Sequence, residues 1–136
     1  MENAGLILVT SSLSVPATVE RFVASAKQAG LTIFGQRDYL QGVQDVNRPR
    51  AAILVVFGNP NVIARLIAAK QQVGIDLPMK ALIWEDPDGN TIISCTDPRW
   101  VISRHGLSAQ FGELSNKMAA VLEKVIKSAA SEQTVQ

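Results

Sequence analysis

The chain has 136 residues, a length that fits one ordinary domain and leaves no room for two. Apolar residues make up 47% and charged residues only 18%, which excludes a disordered chain and leaves few charges to cover the surface. The net charge of +1, without a long run of Lys or Arg, excludes a strongly basic nucleic-acid-binding surface. The low charge is compatible with a homodimer that hides apolar area, and equally with a monomer coated by Ser, Gln, Asn and Thr.

The sequence shows no feature of secretion or of membrane insertion. Met1-Glu2-Asn3 lacks the positive charge of a signal peptide, and no apolar run approaches the roughly twenty residues that span a bilayer. Cys95 is the single cysteine, so it cannot form an intrachain disulfide and suits a reducing compartment. Its predicted strand favours a small buried side chain, with a nucleophile as the alternative. We therefore expect a cytoplasmic protein without a membrane partner.

The first part of the chain predicts a strand, a helix and two further strands. Residues 5–10 are a short apolar run rich in β-branched side chains, and residues 14–29 have the period of an amphipathic helix. Residues 31–39 begin as a strand, whereas residues 42–50 show no period. Residues 51–57 are the most apolar run of the chain. Because they do not alternate, we predict a central strand that is covered on both faces.

The middle of the chain predicts a helix followed by a hairpin. Asn59-Pro60 combines a capping side chain with a proline in the first turn, and the helical pattern then extends to Gly74. Residues 79–86 and 91–96 have the composition of strands. The segment Asp86–Asn90 between them is a strong turn signal, because Asp-Gly supplies the positive φ of a tight turn.

The last part of the chain predicts two helices. A short helix opens at Asp97-Pro98 and closes at Gly106, and a long one begins near Ser108. The apolar stripe of the long helix runs to Ile126. We therefore place a single domain at residues 1–127 and a polar, disordered tail at residues 128–136.

The predicted order, β-α-β-β-(α)-β-β-α-α, indicates an α+β fold. Helices on one face of a mostly antiparallel sheet form a two-layer sandwich. A doubly wound parallel sheet is the competing arrangement, since the first strand, helix and second strand could form a right-handed parallel unit. We favour α+β because the turn at residues 86–90 joins two strands directly.

Well-marked catalytic motifs are absent from the sequence. It has no phosphate loop, no Gly-x-Gly-x-x-Gly, no His-Glu-x-x-His and no Gly-x-Ser-x-Gly. With one histidine and one cysteine, a zinc site would require carboxylates for its other ligands. We expect no cofactor and no resident metal, and the sequence leaves open whether the protein is an enzyme.

A polar set around the predicted hairpin is the first candidate site. Glu85 or Asp97 could orient His105 as an acid–base pair if the fold brings them together. Each residue also has a structural explanation, since Asp97 can cap a helix and His105 suits a helix C-terminus. Trp84, beside the acids, is either part of the core or the rim of a pocket.

Asn59 is the second candidate. It follows an apolar strand and precedes a helix, and the free backbone N–H groups at such a junction can bind an anion. Capping alone also explains this asparagine. The sequence thus predicts a site for a small molecule or an anion among five residues, which are Asn59, Trp84, Glu85, Asp97 and His105.

Short segments in a fixed order resemble the bacterial family called domain of unknown function 302. The resemblance covers most of residues 5–126 and implies a TATA-binding-protein-like α+β fold, but no activity. Members of the family often carry Asp-His after the second strand, where this chain has Asp38-Tyr39. The segments are Phe57-Gly58-Asn59-Pro60, Leu77-Pro78, Lys80-Ala81-Leu82, Trp84-Glu85-Asp86, Asp97-Pro98 and Arg104-His105-Gly106.

These features predict a non-catalytic ligand-binding or interaction protein that acts as a homodimer. The alternative is a small metal-assisted or acid–base enzyme that uses Glu85, Asp97 and His105. Nucleic acid is not an expected partner, because the basic residues are spread along the chain and do not form a stripe.

Overall fold

The computed structural model describes residues 5–45, 47 and 49–131, so part of the irregular stretch and of the predicted tail lies outside it. The helices and strands follow the order expected from the sequence. They are β1 (Leu6–Ser11), α1 (Val15–Gln28), β2 (Thr32–Asp38), β3 (Ala52–Gly58), α2 (Pro60–Ala69), a 3₁₀ helix (Gln71–Asp76), β4 (Met79–Glu85), β5 (Thr91–Thr96), α3 (Pro98–Arg104) and α4 (Ser108–Ala129).

The sheet has five strands in the order β1-β5-β4-β3-β2, and every neighbouring pair is antiparallel. The strands β1 and β2 form its two edges, so they do not pair with each other as a parallel unit would require. With helices packed on the sheet, the α+β two-layer sandwich is confirmed and the doubly wound arrangement is excluded.

Three helices begin at the caps that the sequence predicts. Ser14 accepts a hydrogen bond from the backbone N–H of Ala17, and Asn59 Oδ1 accepts two, from the first turn of α2. Asp97 Oδ1 accepts from the backbone N–H of Arg99 at 2.9 Å. Each cap satisfies N–H groups that lack a partner inside the helix, and each is followed by a proline in the first turn.

The hairpin between β4 and β5 is closed by Asp86 and Gly89. Gly89 has a φ of +84°, the left-handed conformation that glycine adopts without strain. Asp86 Oδ1 accepts the backbone N–H groups of Asp88 at 3.0 Å and of Asn90 at 2.8 Å. These donors, the Asn90 N–H foremost, lower the pKa of Asp86, so the carboxylate is a fixed part of the turn.

Helices α1 and α4 cover one face of the sheet, which we call the inner face. Its central side chains, Val55, Ile83, Ile93 and Cys95, are fully buried. Phe22 of α1 meets Phe57 of β3 edge to face, with ring centroids 5.3 Å apart. These inner-face residues form a single apolar core with α1 and α4.

The prediction for β3 was wrong in two respects. The central strand is β4, and β3 lies next to the edge strand β2. Only alternate residues such as Val55 are fully buried, while Leu54 and Val56 point to the opposite side and are partly exposed. The run lacks alternation because the uncovered side of the strand is itself apolar, and not because a second layer covers it.

The edge strand β2 contains a β-bulge. Its register with β3 shifts between Ile33 and Gly35, so the intervening Phe34 has no partner residue in the ladder. The side chain of Phe34 is 47% exposed. The bulge therefore presents an aromatic ring at this edge of the sheet.

The helix after β3 is shorter than predicted. Helix α2 ends at Ala69, and Lys70 has an extended conformation (φ −156°, ψ 102°) that separates it from the 3₁₀ helix. The sequence pattern continues to Gly74 because Val73 is also apolar and is fully buried. An apolar side chain at helical spacing is therefore compatible with a change of helix type.

The last helix extends beyond the predicted domain end at residue 127. It continues to Ala129, which is fully buried, because its final turn packs on β1 and α1. The Ala130 carbonyl accepts the Ser12 backbone N–H at 2.8 Å, and the Ser128 carbonyl accepts two N–H groups of Arg21. Residues 128–130 are thus part of the domain.

Among the residues that the structure describes, no helix is both long enough and apolar enough to cross a membrane.

Candidate functional site

The structure does not bring Glu85 and Asp97 together. Glu85 ends β4 and pairs with Thr91 at the start of β5, whereas Asp97 follows the other end of β5. A strand of six residues is roughly 20 Å long. The two carboxylates therefore lie at opposite ends of the hairpin, too far apart to orient the same histidine.

Glu85 borders an open depression of about 550 Å³. Its other lining residues include the hydroxyl-bearing Ser11, Ser12 and Thr91, together with Asn90 of the turn. The depression is shallow and polar, with Glu85 as its charged group. It contains no base that could pair with this carboxylate.

Asp97 is fully engaged as a cap and as an ion-pair partner. In addition to the hydrogen bond from the Arg99 backbone, Asp97 accepts two from the Arg99 side chain. Nε donates to Oδ1 and Nη2 donates to Oδ2, each at 3.0 Å. This two-pronged pairing fits the planar guanidinium, and it occupies both carboxylate oxygens. The geometry corresponds to the structural explanation for Asp97.

His105 is oriented by a residue that sequence reasoning missed, Asp76. His105 Nε2 lies 2.6 Å from Asp76 Oδ2, and Arg104 Nη1 donates to both oxygens of the same carboxylate at 2.9 Å. The imidazole is buried, with 8% of its side chain exposed. An Asp–His pair has the composition of an acid–base dyad. Asp76 and His105 are 29 residues apart, and no sequence pattern links the two positions.

The Asp76–His105 pair also joins two elements of the fold. Asp76 ends the 3₁₀ helix, and His105 follows α3. On the other side, the His105 carbonyl accepts Lys70 Nζ at 2.8 Å. Neither Asp76 nor His105 lines the depression beside Glu85. The Asp76–His105 hydrogen bond thus connects the 3₁₀ helix with the end of α3.

Trp84 lies on the sheet face that α1 and α4 do not cover, which we call the outer face. Its Nε1 donates to Ser94 Oγ on β5 at 2.9 Å. The indole is partly buried by neighbouring strands and is not part of the core. Trp84 therefore belongs to a surface that is shared with the outward-pointing residues of β3 and β5.

Asn59 borders an apolar cavity of about 220 Å³. The cavity lies between the first turns of α2 and the middle of α4, at the end of β3. Phe57 and Met79 form part of its wall, and Lys117 of α4 is the charged residue at its border. Of the five candidate residues, Asn59 is the one that lines this cavity.

Cys95 and the described carboxylates do not form a reactive or metal-binding cluster. Burial of the Cys95 thiol on the inner face raises its pKa, which disfavours the thiolate that a nucleophile requires. Within the described ranges, no group of three or more His, Cys, Asp and Glu side chains is placed to hold a metal ion.

The chain is similar in sequence to proteins that are about twice as long. The fluoride-specific ion channel FluC 1 of Brucella suis biovar 1 is 34% identical over 131 residues, which cover 96% of this chain and 52% of the relative. The fluoride-specific ion channel FluC 2 of Brucella melitensis biotype 1 is 34% identical over 96% of this chain and 48% of its own length. The chain therefore spans about half the length of the curated relatives that it matches.

The fold has a counterpart in a crystal structure of a conserved DUF302 protein from Bacillus stearothermophilus. The two structures align with a TM-score of 0.81 over 92% of this chain and 98% of the other, at 21% sequence identity, which shows a shared fold. A family model described as domain of unknown function DUF302 matches residues 7–125 of this chain. The chain therefore belongs to the DUF302 family, as the resemblance of its short segments predicts.

Proposed function

We propose that this domain is a non-catalytic interaction module that acts as a homodimer through the outer face of its sheet. The observation that supports this most strongly is the composition of the outer face, which is apolar although no helix of the described residues covers it. Its larger apolar side chains, all partly or largely exposed, are Leu6, Leu8, Leu54, Val56, Leu82, Trp84 and Ile92.

The centre of the outer face is apolar. Strand β4 is the middle strand of the sheet, and Leu82 is the middle residue of β4. Its neighbours in the ladder are Leu54 on β3 and Ser94 on β5. Leu8 on β1 continues the row beyond Ser94. Interfaces have an apolar centre of this kind, which a second molecule can remove from water.

The size of the outer face corresponds to a small interaction surface. Five strands about 4.8 Å apart, with residues about 3.4 Å apart along each strand, span roughly 20 by 20 Å. Contiguous apolar patches of a few hundred Å² on a single chain mark interaction sites more often than they mark ordinary surface. The low charged fraction of the chain, 18%, points in the same direction.

The charges on the outer face are compatible with a second copy of the same chain. Lys80 and Arg37 are its charged residues, and the described outward positions of the five strands include no acidic side chain. A twofold axis that lies above Leu82, parallel to the sheet and at right angles to β4, would place the two Lys80 residues roughly 14 Å apart along the strand direction. That distance exceeds the Debye length of about 8 Å at physiological salt, so their repulsion would be weak.

The enzyme alternative receives no support from the distances. Glu85 and Asp97 lie at opposite ends of the hairpin, and His105 pairs with Asp76 instead. A cytoplasmic location remains part of the proposal, since the single thiol, Cys95, suits a reducing compartment.

The likeness to fluoride-specific ion channels supports a role beside such a channel. A domain that dimerises would hold together two copies of any protein that carries it. We therefore propose that this domain pairs with its counterpart in a channel of this kind. The test is co-purification of this chain with the full-length Brucella suis relative, which we expect to be lost in the Leu82→Glu variant.

Light scattering tests the homodimer. At micromolar concentration we expect twice the 14.6 kDa mass of one chain. Leu82→Glu places a charge at the centre of the interface and should give a monomer. The matched control is Ile75→Glu, since Ile75 is 72% exposed in the 3₁₀ helix and lies away from the outer face. This control should remain dimeric.

Two results would contradict the proposal. The first is a monomeric parent protein at tens of micromolar. The second is a Leu82→Glu variant that stays dimeric while its circular dichroism matches that of the parent. If nucleic acid were the partner of the outer face, binding would fall steeply with salt concentration, and that result would also overturn the homodimer.

A further inference from the structure

The cavity beside α2 has an apolar floor and an open mouth. Its floor is formed by Phe57 and Met79 at the end of the sheet and by Leu122 of α4, each no more than 5% exposed. Ile63 of α2 and Val121 of α4 form opposite walls. The cavity therefore connects the core of the domain with solvent through a gap between two helices.

A cavity of this size is unusual in a small domain. Protein interiors are packed as densely as organic crystals and contain few voids larger than a water molecule. Here about 220 Å³ is left between hydrocarbon side chains. Such side chains offer no hydrogen bonds to water that enters through the mouth, whereas they make favourable dispersion contacts with a hydrocarbon group. An apolar group that enters the cavity would make those contacts.

The polar groups at the border of the cavity are hydrogen-bond donors. Asn59 Oδ1 already accepts the backbone N–H groups of Asn61 and Val62, so the amide Nδ2 is the part of this side chain that remains for a ligand. Lys117 is exposed, and no carboxylate of the described residues lies within ion-pair distance of its ammonium group. An anionic head group would complement both donors.

We propose that this cavity binds a small amphipathic carboxylate, with its hydrocarbon body on the floor and its carboxylate beside Lys117 and Asn59. An apolar cavity of about 150 Å³ holds a benzene molecule, so the present cavity has room for roughly nine carbon atoms. A saturated acid of eight to ten carbon atoms or a small aromatic acid fits this description. The site lies apart from the outer face, so it does not depend on the homodimer.

Octanoate is the probe that tests the site, with calorimetry and amide chemical shifts as the measurements on the full chain. We expect octanoate to bind with shifts around Ile63 and Val121. Octylamine has the same hydrocarbon chain with the opposite charge and should bind at least tenfold more weakly. Val121→Trp fills the mouth from an exposed position, and should abolish binding while the melting temperature stays that of the parent.

The Lys117→Gln variant distinguishes the contribution of the charge from the contribution of the apolar cavity to octanoate binding. We expect octanoate to bind about fivefold more weakly, the factor that corresponds to ~1 kcal/mol for an exposed ion pair. Lys124→Gln is the matched control, because Lys124 is exposed on the same helix but does not line the cavity. It should bind octanoate as the parent does.

Three results would overturn the carboxylate site. They are the absence of octanoate binding at millimolar concentration, equal affinities for octanoate and octylamine, and undiminished binding by the folded Val121→Trp variant. An equal loss of affinity in Lys117→Gln and Lys124→Gln would also overturn it, since it would show that only the net charge of the chain attracts the probe.

Discussion

The inner and outer faces of the sheet are built from the same kinds of side chain but differ in what covers them. Ile93 of β5 is fully buried beneath the helices, whereas its neighbour Ile92 points to the outer face and is partly exposed. The same holds for Ile83 and Leu82 on β4. The apolar character of a strand therefore shows that a surface prefers to leave water, but not which molecule covers it.

The difference between the faces is also a difference in stability. Burying a side chain such as Ile93 contributes roughly 1.5–3 kcal/mol to folding. Ile92 remains partly in water in the single chain, so part of its burial energy is not used for folding. That unused part is available for association, and this links the open face to the proposed homodimer.

The largest expected difference between the two faces is the rate at which a thiol on each face reacts with a disulfide reagent. Cys95 on the inner face is fully buried and its pKa is raised, so at pH 8 the native protein should react with a disulfide reagent only through opening. In Ser94→Cys, a second thiol lies one residue away on the outer face. At low protein concentration we expect it to react more than about a thousandfold faster, since opening a native domain requires several kcal/mol.

The measurement for the Ser94→Cys variant is the number of thiols that react fast and the number that react slowly. Reaction of the denatured protein gives the total number of thiols. Two equally fast thiols would mean that the inner face is not closed. At high protein concentration, slower reaction at Ser94→Cys would support the homodimer, because association would cover this position.

Truncation of neighbouring isoleucines should show the next largest difference. Ile93→Ala removes fully buried methyl groups and should lower the free energy of unfolding by about 2–5 kcal/mol. Ile92→Ala should lower it by about 1 kcal/mol in the dissociated chain, because its surroundings are partly solvent. Urea denaturation at submicromolar concentration measures both. Equal losses would remove the distinction between the two faces.

The hydrogen bond from Trp84 to Ser94 should contribute less. Ser94→Ala leaves the indole N–H without its partner on the outer face, where water can partly replace it. We expect a loss of about 0.5–1.5 kcal/mol in the free energy of unfolding. Thermal denaturation with tryptophan fluorescence follows the change. A loss as large as that of Ile93→Ala would show that Trp84 is part of a closed core.

Charge removal at the rim of the outer face should have the smallest effect. Lys80→Ala leaves the apolar centre around Leu82 intact, and the two Lys80 residues of a dimer would be separated by more than the screening length. We expect the dimer dissociation constant to change less than about threefold, which corresponds to under 1 kcal/mol. Analytical ultracentrifugation at two salt concentrations measures the dissociation constant. A larger change would indicate that the interface is centred near the first residues of β4 and not on Leu82.

Elements that rest on local signals could be predicted from the sequence. Ser14, Asn59 and Asp97 each carry the cap chemistry beside a proline, and all three cap helices in the structure. The Asp-Gly turn identified the hairpin, and the hairpin in turn identified the antiparallel sheet. The resemblance of short segments identified the family that the comparisons confirm.

The candidate site depends on contacts between distant residues, and these could not be predicted. Glu85 and Asp97 are only 12 positions apart, but the hairpin places them at opposite ends of β5. Asp76 is much farther from His105 along the chain and is nevertheless its partner. Asn59 borders the apolar cavity because α4 lies beside α2 in the fold. No local sequence pattern predicts that contact between two helices. Side-chain convergence is a property of the tertiary fold.

The β-bulge at Phe34 limits how copies of this domain could polymerise. A regular edge strand offers a row of N–H and C=O groups onto which the strand of another molecule can add without end. In β2 that row is interrupted between Ile33 and Gly35, so a further strand could not follow it in register. Growth of a continuous fibril along this edge is thereby disfavoured, whereas the proposed assembly through the outer face would stop at a closed pair.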